Sequence, residues 1–267
     1  MSAITHTIPD STTLLRRNLR RLQRYPSLTL MLIGMPIVFL LLFVYVFGGQ
    51  LGHGLGHALA GGHTGRAGYL NYVTPGILLM AVAAAVQGTA IVVAMDMTGG
   101  IIDRFRTMAI ARSAVLTGHA LASLIQTLGS IGVVLGVAIA LGFRPTASVL
   151  DWLGAVGLLA LFGLALIWLA TALGLAAKSV ETASNTPMFL TLLPFLGSGF
   201  VPASTMPEGL RQFATYQPFT PVTETLRGLL TGTHIGSHGV LAIGWCLAIA
   251  VVSSVCAMRL YNRRQPR

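Results

Sequence analysis

Residues Thr186 to Gly228 read TPMFLTLLPFLGSGFVPASTMPEGLRQFATYQPFTPVTETLRG. The stretch starts as apolar as a membrane-crossing helix, but Pro187, Pro194, Pro202 and Pro207 cut it. Each proline removes a backbone donor and crowds the preceding turn, so an unbroken helix is disfavoured. Its four charges fall as Glu208/Arg211 and Glu224/Arg227, each pair at i,i+3 and so on one face of a short helix. Thr205 with Glu208 fits an N-terminal capping box, and Thr220 before Pro221 fits an N-cap and first helical residue. The expected form is a span that reaches one membrane face and turns back as two short helices lying in or dipping into that face. Interrupted backbone at membrane depth survives only where protein or a cavity covers it, which marks this stretch as a functional element.

Outward from there, the composition settles the class. The 267 residues are 54% hydrophobic and 9% charged, against about 25% charged in an ordinary soluble domain. Charge-free runs cover 25–65, 67–95, 113–143, 152–177, 182–207 and 228–258. Each exceeds the roughly 20 apolar residues that cross about 30 Å of hydrocarbon. The expected fold is an all-α integral membrane protein forming a single transmembrane domain, 1–267. Its six transmembrane helices fall at about 27–47, 69–95, 113–143, 152–177, 183–201 and 238–260, with the re-entrant helix pair at 202–230. No trusted cleavage site follows the first run, so it reads as a retained span. Pro36 is expected to kink it.

The net charge of +10 is placed, not spread. With both termini on one side, that side holds Arg16, Arg17, Arg20, Arg21, Arg24, Arg104, Arg106, Arg112, Lys178, Arg259, Arg263, Arg264 and Arg267. The other side holds Arg66, Arg144, Arg211 and Arg227. This positive-inside bias puts both termini in the cytoplasm and makes the basic charge a topology and lipid signal, not a nucleic-acid surface. Leu15, Leu19 and Leu22 recur at helical spacing among five arginines, so residues 10–24 read as an amphipathic interfacial helix.

Other features carry less. The Gly-rich outer stretch Gly48–Gly68 holds His53, His57 and His63; its glycines argue for a flexible loop and against a rigid metal site. Gly132 and Gly136 would permit close helix approach in the third span. Cys246 and Cys256 lie ten residues apart on one helix, about 15 Å along its axis, too far to bridge. No phosphate-binding G-x-x-x-x-G-K-[ST] string occurs, nor a dinucleotide fingerprint in a βαβ setting, nor H-E-x-x-H. Asp96 and Asp103 fall at a cytoplasmic boundary, where solvation is the expectation. The six runs hold no Asp, Glu, Lys or Arg, and His119 lies near the cytoplasmic end of its span. Ion-coupled carriers keep ionisable residues at mid-membrane, so energy is expected to enter from outside the chain.

The string FVPASTMPEGLRQFATYQPFTPVTETLRGLL, residues 200–230, resembles the signature of the ABC-2 family of transporter permeases. Its marks are Pro202, Pro207, Glu208, Arg211, Pro218, Pro221, Glu224 and Arg227. GIIDRFRTMAIARSAVLTGH, Gly100–His119, resembles the first cytoplasmic loop of the daunorubicin-resistance branch of that family. The resemblance extends over nearly the whole chain. It implies an inner-membrane transmembrane subunit that pairs with a second permease chain, identical or related, and with two ATPase subunits that hold ATP and Mg. No cofactor is then expected on this chain. The helix around Ile101, Ile102, Asp103, Arg104, Phe105 and Arg106 would be the coupling element seated on the ATPase; an ordinary solvated loop is the plain alternative.

The family places the second and fifth spans at the subunit interface, which makes Tyr72, Met80, Gln87, Met188, Phe189, Phe195 and Phe200 candidate cargo contacts. Each also reads as helix packing. The function so implied is outward export of hydrophobic or amphiphilic compounds, drugs or antibiotics first. A lipid or glycan cargo is the alternative within the family, an ion-coupled carrier the alternative outside it, and a membrane enzyme lacks any convergent cluster. The topology has a direct check: a fluorescent protein fused after Arg267 should light up in cells, and alkaline phosphatase fused there should be inactive.

Overall fold

The structure is a computed structural model that describes residues 26–54, 65–98 and 112–263. The interfacial helix expected at 10–24, the coupling residues Ile101 to Arg106, and His57 and His63 lie outside the described residues. Among the described residues every element is helical and no strand is present.

Helix α1 is Pro26–Leu41 and runs through Pro36. It widens into a π-helical turn at Leu42–Phe47 and continues as α2, Gly48–Gly54. The glycines after Phe47 were expected to start a loop, and here the structure corrects the sequence reading. Glycine at 52 lets α2 lie directly on the Gly65 backbone, which a Cβ there would strike. Next come α3, Gly65–Thr98; α4, Arg112–Ala140; and α5, Val149–Ala176. Helix α5 opens with a capping box in which Ser148 and Asp151 exchange side-chain and backbone bonds, a signal present in the sequence as S-x-x-D and overlooked there. The last long helix, α10, is His238–Arg263. Among the described residues five segments are long and apolar enough to cross a membrane: Leu32–Gly54, Gly65–Asp96, Thr117–Ala140, Val149–Ala176 and His238–Tyr261.

The segment expected as a span at 183–201 is not one helix. It forms α6, Val180–Asn185, and α7, Met188–Leu192, followed by consecutive turns over residues 193–200. Pro187 and Pro194 each delete a ladder donor, and Gly197 and Gly199 add backbone freedom that an isolated helix would have to lose. Despite the breaks it runs alongside α3 in the opposite direction, from the level of Gln87 to that of Tyr69. Ser184 lies against Gln87 and Phe200 against Tyr69, levels about 27 Å apart on a straight helix.

The pair beyond it, α8, Glu208–Tyr216, and α9, Phe219–Thr231, is split in character. Most of α8 is exposed, whereas α9 buries ten of its residues, Phe219 and Leu226 among them. The two expected caps differ from the structure. Pro207, not Thr205, precedes α8 and gives no side-chain cap, and the Thr205 hydroxyl bonds the Pro202 carbonyl instead. Helix α9 starts before Thr220, whose hydroxyl accepts from the Ser198 amide 22 residues earlier. In both places a proline already fixes the helix start, so the hydroxyl is released for another bond.

Helix α3 is the centre, packed by α1, α2, α4, α5, α9 and the broken segment. The main core gathers Leu40, Tyr69, Val73, Ile77, Phe143, Phe162, Phe219 and Leu226. A smaller cluster of Val93, Leu175, Ala257 and Tyr261 closes the opposite end. Two glycines allow backbones to meet: a Cβ on Gly174 would lie 2.7 Å from the Ala90 carbonyl oxygen, and one on Gly76 2.5 Å from that of Gly199. Gly132 and Gly136 have nothing within 4 Å of a would-be Cβ, so the close approach they permit is not made inside this chain.

These contacts set a contrast. Gly76→Val forces the turn at Gly199 away from α3 and should destabilise by about 1–3 kcal/mol, read as a lower midpoint in thermal unfolding in detergent. Gly132→Val meets open space and should leave that midpoint within about a degree.

Candidate functional site

Turn backbone inside an apolar bundle exposes carbonyl groups that lipid cannot satisfy, at several kcal/mol each. The broken segment solves this with side chains from other elements. Tyr69 donates its hydroxyl to the Phe200 carbonyl at 3.1 Å, and Tyr72 to the Ser198 carbonyl at 2.8 Å. Gln217 donates from Nε2 to the Leu193 carbonyl at 3.0 Å, and Gln87 to that of Ser184 at 3.1 Å. Tyr69, Tyr72, Gly76, Met80 and Gln87 fall within about 80° of one another on the helical wheel, at 100° per residue. One stripe of α3 therefore faces the broken segment from residue 184 to residue 200.

Arg227 completes the site from α9. It is 3% exposed. Its Nη2 donates to the Ser198 carbonyl at 2.9 Å and to the Tyr72 carbonyl at 3.2 Å, where Nε joins at 3.3 Å. The guanidinium carbon stands 3.8 Å from the Tyr72 ring centre, a cation–π geometry. Nη1 pairs with Glu224 Oε1 at 2.6 Å, the i,i+3 partner expected from sequence. Ser198 is the node: its carbonyl takes two donors, and its amide donates to Thr220 at 3.2 Å.

A phenylalanine ladder packs the other flank. Phe195 and Phe200 stack with centroids 4.6 Å apart, Phe43 meets Phe200 at 4.6 Å, and Phe39 meets Phe195 edge-on at 5.4 Å. The π-helical turn sets where Phe43 and Phe47 leave α1, so this irregularity belongs to the same assembly.

The expected cargo contacts thus separate into three groups. Tyr72, Met80 and Phe200 are buried within the chain, and Phe195 is half-buried in the ladder. Gln87 holds Ser184. Met188 and Phe189 are exposed, at 58% and 78%. Of the signature residues, Pro202 and Pro221 are buried, Pro218 and Glu224 half-buried, and Pro207, Glu208 and Arg211 exposed. Arg211 donates to the Met206 carbonyl at 3.0 and 3.2 Å, closing the turn into α8.

At the other end of α3, Asp96 is buried, not solvated as its boundary position implied, and its Oδ2 lies 3.1 Å from His119 Nε2 on α4. Helix α3 extends to Thr98, which carries Asp96 into the packed end beside the Val93 and Tyr261 cluster. Among the described residues no group of three or more His, Cys, Asp or Glu is placed to hold a metal.

A helical bundle that has, among the described residues, five apolar helices of membrane length packed with a partly buried broken segment is a multi-pass membrane protein. Residues 10–231 match the ABC-2 type transporter family, and the chain belongs to it. It is 28% identical over 253 residues to the daunorubicin resistance ABC transporter permease protein DrrB1 of Streptomyces coeruleorubidus, covering 93% of this chain and 84% of that one. It is also 27% identical over 189 residues to a probable doxorubicin resistance ABC transporter permease protein, DrrC, of Mycobacterium tuberculosis, covering 69% and 68%.

The shared carbonyl at Ser198 makes the tyrosine contributions unequal. Tyr69→Phe leaves the Phe200 carbonyl without its donor, whereas Tyr72→Phe leaves Arg227 still on Ser198. Membrane hydrogen bonds average about 0.6 kcal/mol with a maximum near 1.7. Tyr69→Phe should fall near the upper value and Tyr72→Phe near or below the average, as measured by reversible unfolding in mixed micelles.

Proposed function

We propose that this chain is the transmembrane subunit of an ATP-driven exporter that moves hydrophobic or amphiphilic compounds, drugs or antibiotics first among them, outward across the bacterial inner membrane. The family match over residues 10–231, together with relatives named as drug-resistance permeases, is the observation that carries this reading. Two chains of this type flank the path, and ATP hydrolysis occurs on two separate ATPase subunits beneath them.

The placement of charge supports an external motor. Among the described residues the buried ionisable side chains include Asp96, His119 and Arg227. The contacts of Asp96 and Arg227 on α3, at residues 96 and 72, are about 36 Å apart along that helix. Both sit toward its ends and leave no charged residue between them on α3, unlike the proton or sodium relay of an ion-coupled carrier.

The broken segment serves as the fifth of six crossings, since it travels a hydrocarbon thickness alongside α3, and α8 with α9 forms the outer return. With six crossings the positive-inside bias leaves both termini in the cytoplasm. Ile101 to Arg106 then form the contact with the ATPase, in the connection between α3 and α4. The exposed Met188 and Phe189 are the cargo or subunit contacts in this reading. Tyr72, Met80 and Phe200 act behind them as the wall that shapes the broken segment.

Replacing Asp103–Arg106 with a Gly-Ser linker tests the reading in the purified complex with its ATPase. The expected result is loss of complex formation, or at least a tenfold loss of doxorubicin transport per ATP hydrolysed. Unchanged assembly and transport-coupled hydrolysis would overturn the coupling role.

A further inference from the structure

A permanent structural pin and a mechanical link differ in where their bonds run. Arg227 has both kinds. Its ion pair with Glu224 lies within α9, three residues back, and needs no other element. Its remaining contacts leave the helix entirely, to the Tyr72 carbonyl and ring on α3 and to the Ser198 carbonyl in the turn segment. The cross-element bonds are directed to neutral carbonyls at 2.9–3.3 Å. They can be exchanged while the charge keeps its local partner, because Glu224 remains half-exposed on the same helix. Three elements therefore converge on one guanidinium, at the opposite end of α3 from Asp96.

We propose that Arg227 is a positioning residue for transport: it makes the outer end of α3, the turns at 193–202 and helix α9 move as one body, so that displacement delivered at the Asp96 end reaches the broken segment. This rests on the motor reading above. A lysine in its place keeps the charge for Glu224 but lacks the planar fork that reaches two carbonyls and stacks on a ring.

Amide hydrogen exchange of the assembled complex in lipid nanodiscs, with and without ATP, reads this directly. In the wild-type complex, ATP should change exchange at least threefold in peptides covering both 90–96 and 193–202. In Arg227→Lys the response at 90–96 should persist within about twofold, and that at 193–202 should vanish. Tyr72→Phe, which leaves Arg227 on both carbonyls, should keep both responses. The proposal is overturned if Arg227→Lys responds like wild type at 193–202, if both peptides lose their response together, or if wild type shows none at 193–202. A wild-type chain that recruits no ATPase overturns the motor reading and this proposal with it. A complex that hydrolyses ATP normally and keeps the 193–202 response in Arg227→Lys overturns this proposal alone.

Discussion

The bundle depends on the hydrogen bonds that one stripe of α3 offers to backbone that is not helical. A membrane interior tolerates a broken helix only if each freed carbonyl meets a donor. Tyr69, Tyr72 and Gln87 provide those donors at separate levels, and Gly76 removes the side chain that would hold the two backbones apart. Phe39 and Phe43 press on the opposite flank of the same segment. The segment is thus defined by its neighbours more than by its own helix propensity, since neither α6 nor α7 is long enough to hold a helical shape alone.

Charge follows the same economy. Arg227 is buried among carbonyl oxygens, a tyrosine ring and one carboxylate, which together replace most of the water it gives up. Asp96 meets His119 at the far end. Between those levels α3 presents Val73, Ile77, Ala81, Val82 and Ala90, all buried and apolar. A rod that is charged only near its tips can shift along or tilt within its packing without dragging a charge through hydrocarbon.

Much of this was legible in the residues. The prolines marked where the helix would fail, the i,i+3 spacing found the Glu224–Arg227 pair, and the long apolar runs located α3, α5 and α10 within a few residues. What was hidden were partners distant in sequence. Arg227 counted as an outer-face charge because its acceptors are main-chain carbonyls, 29 and 155 residues away, which no residue type announces. Asp96 looked solvated because it follows an apolar run, and only the continuation of α3 to Thr98 carries it inside. Thr205 and Thr220 had the right spacing for caps, yet a proline standing at each helix start, Pro207 for α8 and Pro218 for α9, leaves each hydroxyl to another bond. The recurrence of Tyr69, Tyr72, Gly76, Met80 and Gln87 on one stripe was available in the sequence. Tyr72, Met80 and Gln87 of that stripe were read as candidate cargo contacts or helix packing, and in the structure the stripe faces the chain's own broken segment.

Helix α9 carries one more consequence in its threonines. Thr223, Thr225 and Thr231 each return the hydroxyl proton to a carbonyl four residues back on the same helix. Their hydroxyls are spent within the helix, so at these three positions, spread around its circumference, α9 offers methyl groups to its surroundings. Such a surface is greased: α9 can slip against α5 and α10 with little polar friction, and its hold on the rest of the bundle is concentrated at a few directional grips.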